Sequence, residues 1–203
     1  MKKLYVFDLD GVIIDSLPNM KISWGVVQLN HKIDVPFEEY AKHIGKPFYD
    51  ILTEIGITED QTSIKATYDK SSSQGIDEVK IYPGAIDTLN TLKERGCKIA
   101  ICTSKDGTRV REILKGLRDN GKLLPEFDFV CSPKSGLRGK PSPDQLLNTI
   151  AFCNEDPKDT IYIGDMISDY ECALRAGVDF IHANYGYGQV KCEHSVDQID
   201  KLI

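Results

Sequence analysis

Apolar side chains cluster in five short runs, at 3–8, 98–103, 127–131, 160–164 and 179–183. Runs of this length, apolar almost throughout, read as strands buried on both faces, the pattern of a parallel sheet. Between the later runs the period changes to that of a helix. Residues 84–95 carry Ala85, Leu89 and Leu92 on one side and stop at Gly96, which suits the left-handed position after a helix. Ser142, Pro143 and Asp144 read as an N-cap, a first-turn proline and an early acid ahead of Leu146, Leu147 and Ile150. Strands alternating with helices predict an α/β fold with a doubly wound parallel-sheet (Rossmann-like) core.

The stretch between the first strand and Tyr82 breaks this alternation, because it holds helix signals and no good strand. Ser16 is placed to cap a segment bearing Met20, Trp24 and Val27, 37–44 ends at Gly45, and 48–55 ends at Gly56. Thr58 with Gln61 makes a capping box. Three or four helices follow, so residues 17–79 are expected to form a small all-helical insertion in a core made of 1–16 and 80–203. The one linker-like stretch is Ser71-Ser72-Ser73-Gln74-Gly75.

Composition narrows the class without changing this picture. Hydrophobic residues make up 41% and charged residues 28% of the 203 positions, ordinary for a folded chain. A formal net charge of −6 argues against a nucleic-acid or anionic-membrane partner, both of which call for a basic face. Asp8 and Asp10 interrupt the first apolar run where a signal peptide needs continuity, so the expected compartment is the cytoplasm. Six cysteines without a Cys-x-x-Cys pair suggest reduced, mostly buried thiols rather than a zinc knuckle or a redox pair.

The candidate chemistry lies where the apolar runs stop. Asp8 and Asp10 end the first run, and residues two apart in an extended chain share a face. Ligands of open α/β sheets bind at that end of the strands. Two acids so close repel unless a proton or cation lies between them, and hard oxygen ligands suit Mg²⁺. By itself an Asp-x-Asp-Gly segment also fits an ordinary acidic strand-to-helix turn. Thr103-Ser104-Lys105 places hydroxyls at a strand end where a helix begins near Asp106, a natural anion site or a simple cap. Lys140 precedes Pro141 and is therefore biased to an extended conformation. Asp165 follows the fourth strand at once, with Asp169 four residues on.

These fragments, in this order, resemble the motifs of the haloacid dehalogenase superfamily: Asp8-Leu9-Asp10-Gly11-Val12, then Thr103, then Lys140, then Asp165 with Asp169. Within it the chain looks closest to the phosphoglycolate-phosphatase group, with the insertion similar to that family's helical cap. Ser104 departs from the asparagine common there. The resemblance implies a Mg²⁺-dependent phosphatase acting on a small phosphorylated metabolite, phosphoglycolate-like or a sugar phosphate. Asp8 would be the nucleophile and Asp10 the acid and base. Asp8, Asp165 and the Asp10 carbonyl would hold the metal, while Thr103, Ser104 and Lys140 would hold phosphate. Asp169 is expected behind them as a positioning residue, and Lys46, between Gly45 and Pro47, as the cap residue that reads the substrate. A sugar phosphomutase would use the same acids but usually carries a Ser-rich loop at Thr103-Ser104-Lys105. A catalytically silent binding module would have lost one of Asp8, Asp10, Lys140 or Asp165, and none is lost.

Overall fold

In the computed structural model, which describes residues 2–203, the chain opens with β1 (Leu4–Phe7), all four side chains buried. Its alternation divides the core in two. Tyr5 and Phe7 point to one layer, with Leu89, Leu92 and Ile113, whereas Leu4 and Val6 point to the other, with Leu146, Tyr162 and Phe180. Fully buried, Leu4, Val6 and Phe7 each contribute roughly 1.5–3 kcal/mol of transfer free energy.

After β1 come β2 (Ile14–Asp15) and four helices, α1 (Leu17–His31), α2 (Phe37–Ala41), α3 (Phe48–Glu54) and α4 (Gln61–Gln74). The chain returns through β3 (Lys80–Ile81), which pairs antiparallel with β2 and so ties the two ends of the insertion together. There follow α5 (Ala85–Glu94), β4 (Lys98–Cys102), α6 (Gly107–Asp119), β5 (Phe129–Cys131), α7 (Asp144–Phe152), β6 (Thr160–Gly164), α8 (Ile167–Ala176), β7 (Asp179–Ala183) and β8 (Ser195–Val196). The main sheet is parallel, in the order β5-β4-β1-β6-β7-β8. It therefore has six strands where the apolar runs predict five, because β8 is only two residues long and carries no pattern.

The four helices of the insertion have a core of their own. Trp24 stacks on Tyr40 at 4.7 Å between ring centroids, among Val27, Leu52, Ile64 and Tyr68, and Met166 from the α/β layer packs against them. Several local expectations fail here for identifiable reasons. The Ser16 hydroxyl does not cap α1, because it donates to Asp10 Oδ1 instead. The Thr58–Gln61 capping box does not form: Asp60 holds the N-cap position at φ 50°, and the Gln61 amide donates to Ile57 O at 2.7 Å. Residues 71–75 are not a linker. All but Gly75 belong to the last turns of α4, where the Ser72 hydroxyl is buried between Asn19 Oδ1 (2.6 Å) and Arg109 (2.8 Å). Ser142 donates to Asp144 rather than capping α7.

Candidate active site

Register decides what meets. β1 lies between β4 and β6, with Phe7 opposite both Ile101 and Ile163, so Asp8, Thr103 and Asp165 emerge from neighbouring strands at one edge of the sheet. Carboxylate oxygens of Asp8, Asp165 and Asp169 lie within 4.8 Å of one another, all buried. Lys140 enters this group from the loop before α7, with Nζ 3.0 Å from Asp8 Oδ1 and 2.7 Å from Asp169 Oδ1, and its side chain is fully buried. Asp169 also accepts from the Tyr162 hydroxyl (2.9 Å) and from Met166 N–H (3.0 Å), so three donors hold it in place.

Electrostatics at this point follow from burial. The Asp8 carboxyl is pushed up to about 7, chiefly by desolvation and further by Asp169 and Asp10, against the pull of Lys140. Asp165 is raised well above the usual carboxylate range, first by burial and then by Asp169 and Asp8. Burial alone would lower Lys140, but Asp169 and Asp8 outweigh it and hold the ammonium well above its ordinary value. Asp8 Oδ1 meets the Lys140 ammonium at 3.0 Å, and Asp165 Oδ1 remains without a hydrogen-bond donor. Buried carboxylate oxygens are rarely left so. The chemistry of the set, hard anionic oxygens with spare lone pairs, fits a divalent cation such as Mg²⁺.

Backbone geometry supports the same cluster. Gly11 sits at φ +77°, and a Cβ there would fall on the Asp165 carboxylate. Gly186 approaches Asp165 equally closely from the other side, and Tyr187 N–H donates to Asp165 Oδ2 at 2.7 Å.

The remaining residues singled out in the sequence line one cavity of about 210 Å³ between core and cap. Asp10 faces it with Oδ1 held by the Ser16 hydroxyl and by the Lys105 ammonium at 3.2 Å. Thr103 is buried beside it, its hydroxyl accepting from Lys105 N–H at 3.1 Å. Ser104 donates to the Gly45 carbonyl at 2.6 Å, so its hydroxyl joins the core to the cap. Lys46 lines the cavity but is paired with Glu54 at 2.5 Å, which also takes His43 at 2.9 Å.

Sequence reasoning gave no role to several wall residues. Lys65 and Asp69 pair at 2.5 Å across one turn of α4, an i,i+4 spacing that was there to be read. Arg109 is buried against Ser72 and Ser73, and an arginine on the apolar face of α6 was the available signal. Tyr187 had none.

Buried acids and one lysine at the carboxyl ends of parallel strands, under a separately packed helical cap, are the layout of a phosphatase-type hydrolase. The family model described as haloacid dehalogenase-like hydrolase matches residues 5–183, and the chain belongs to that family. Phosphoglycolate phosphatase 1 of Pseudomonas aeruginosa is 26% identical over 197 residues, 92% of this chain and 71% of that protein. The phosphoglycolate phosphatase of Nitrosospira multiformis is 26% identical over 206 residues, 96% of this chain and 88% of its own. A haloacid dehalogenase-like hydrolase from Bacteroides fragilis shares the fold at a TM-score of 0.89 and 24% identity, over 100% of both chains.

Proposed function

We propose that this phosphatase is Mg²⁺-dependent and hydrolyses a small phosphorylated metabolite, phosphoglycolate-like or a sugar phosphate, through a phosphoaspartate on Asp8. The observation that carries the reading is the buried cluster of Asp8, Asp165 and Asp169, with Asp165 Oδ1 lacking any donor and the Lys140 ammonium set against Asp8. Asp8, Asp165 and the Asp10 carbonyl would hold the ion, which supplies positive charge between phosphate and nucleophile.

An Asp8 oxygen bonds to phosphorus as the ester P–O bond breaks, and the Asp10 carboxyl gives its proton to the departing alkoxide. Water then attacks the phosphoaspartate, Asp10 takes the proton back, and Asp8 leaves as carboxylate with release of phosphate. Thr103, which lines the cavity, and Lys140, whose ammonium lies 3.0 Å from Asp8 Oδ1, would hold the equatorial oxygens, whose charge the transition state carries. Asp169, held by Tyr162 and Met166 N–H, fixes Lys140. Substrate choice falls to the cap, since the core residues engage only the phosphoryl group. Lys46 is the reading residue to test first, because it lines the cavity on the cap side.

Phosphate release from a panel of phosphorylated metabolites tests the reading directly. Activity should vanish in EDTA and return with Mg²⁺, and Ca²⁺ should support it poorly because its larger, looser shell misplaces the phosphate. Full turnover in chelator contradicts the metal assignment.

A further inference from the structure

Beyond β7 the chain runs Tyr185-Gly186-Tyr187-Gly188 across the point where the cap joins the core. The Tyr185 hydroxyl donates to Val12 O at 3.0 Å. Tyr187 does more, since its two ends touch two different parts of the site. Its backbone N–H holds Asp165 Oδ2 at 2.7 Å. Its hydroxyl accepts from Ser16 N–H at 2.7 Å and lies 3.4 Å from both Ile14 O and Asp15 Oδ1. Ser16 is the residue at which the cap begins, and its own hydroxyl donates to Asp10 Oδ1. The ring of Tyr187 meanwhile packs against the cap core. The path Asp165–Tyr187–Ser16–Asp10 is therefore continuous, through three hydrogen bonds and the side chains of Tyr187 and Ser16. The segment has little room to move. A Cβ on Gly186 would strike Asp165 and Gly11 O, and one on Gly188 would come within 2.6 Å of Asp165 O.

We propose that Tyr187 is a positioning residue, a strap that fixes the cap hinge at Ser16, and through Ser16 the Asp10 carboxyl, relative to the loop that holds Asp165. The consequence for Asp10 rests on the function proposed above, whereas the consequence for the hinge does not. A hydroxyl placed this way acts on the proton transfer rather than on phosphate binding. Its loss should therefore appear where the leaving group needs a proton.

Tyr187→Phe keeps the ring and the backbone N–H and removes only the hydroxyl. Two measurements decide the matter. In EDTA-treated protein, hydrogen exchange should quicken about five- to tenfold at the Ser16 amide, the loss of one half-buried hydrogen bond, while amides of β4 stay protected. In the Mg²⁺-loaded enzyme, kcat for an alkyl phosphate should fall at least about fivefold further than kcat for p-nitrophenyl phosphate, with KM of each little changed. Ser16→Ala should show the same selectivity, and the double variant should lose no more than Ser16→Ala alone, because both changes cut one path. Unchanged exchange at Ser16, equal losses on the two esters, or additive losses in the double variant would overturn the strap. The exchange measurement involves no turnover, so it judges the hinge contact even if the enzyme hydrolyses neither ester.

Discussion

Lys140 is the side chain on which the buried charges of this protein balance. With a fully buried ammonium between Asp8 and Asp169, it offsets one unit of the negative charge that these carboxylates bring. Lys140→Met keeps the bulk and removes the charge, and breaking a buried pair in this way costs about 3–5 kcal/mol. Urea denaturation in EDTA should show that loss; a change below about 1 kcal/mol would mean the acids are held neutral without it. The acids themselves were legible from sequence because Asp8, Asp10 and Asp165 stand at the ends of apolar runs, where strand geometry aims them. Lys140 was not legible by any local rule: it sits in a loop before a proline, and only the family resemblance singled it out. Tyr187 lies still further from any rule, since its contact to Ser16 spans 171 residues of chain.

At the scale of elements, the sequence foretold which segments are helical better than where they end. α2 stops at Ala41 rather than running to 44, whereas α4 continues through the serine stretch because buried partners outweigh the local preference of Ser72. Ser72 is the clearest example: solvent-seeking by type, it is held by Asn19 and Arg109 in the join between cap and core. The cap meets the core again where Ser104 donates to Gly45 O, and where a Cβ on Gly139 would run into Pro47. Lys46 stands next to this join. Its pairing with Glu54 is partly exposed, with side chains 27% and 42% accessible, and an exposed pair of that kind contributes little to stability. On the proposed function, the ammonium would exchange Glu54 for an anionic substrate tail. Lys46→Ala should leave the melting temperature nearly unchanged and raise KM about tenfold for a metabolite with a charged tail, against less than twofold for p-nitrophenyl phosphate. Equal changes on both substrates would return Lys46 to a purely surface role and shift attention to Lys65.

For the whole molecule, the site makes stability depend on pH and on metal together. The Asp8 carboxyl, raised to about 7, and Asp165, raised well above the usual carboxylate range by burial, hold protons in the folded state that the unfolded chain gives up near pH 4. The folded state thus binds more protons between about pH 4 and 7, so the stability these acids permit is fully present below about pH 4 and declines as pH rises through about 7. A cation held by these carboxylates, as proposed, would take the place of those protons. Mg²⁺ should accordingly raise the melting temperature more at pH 8 than at pH 5, and at a hundred times its dissociation constant by about 2.7 kcal/mol, some 5–10 °C for a chain of this size. An effect of Mg²⁺ that is equal at the two pH values would contradict the buried acids as its ligands. The central claim is the covalent step at Asp8. Rapid mixing with a phosphate ester labelled in its phosphoryl group, followed by acid quenching and peptide mapping, tests it most directly. Label should be found on the peptide carrying Asp8, be released by hydroxylamine as an acyl phosphate is, and be absent together with turnover in Asp8→Asn. Undiminished turnover in that variant, or label carried by any other residue, would contradict it.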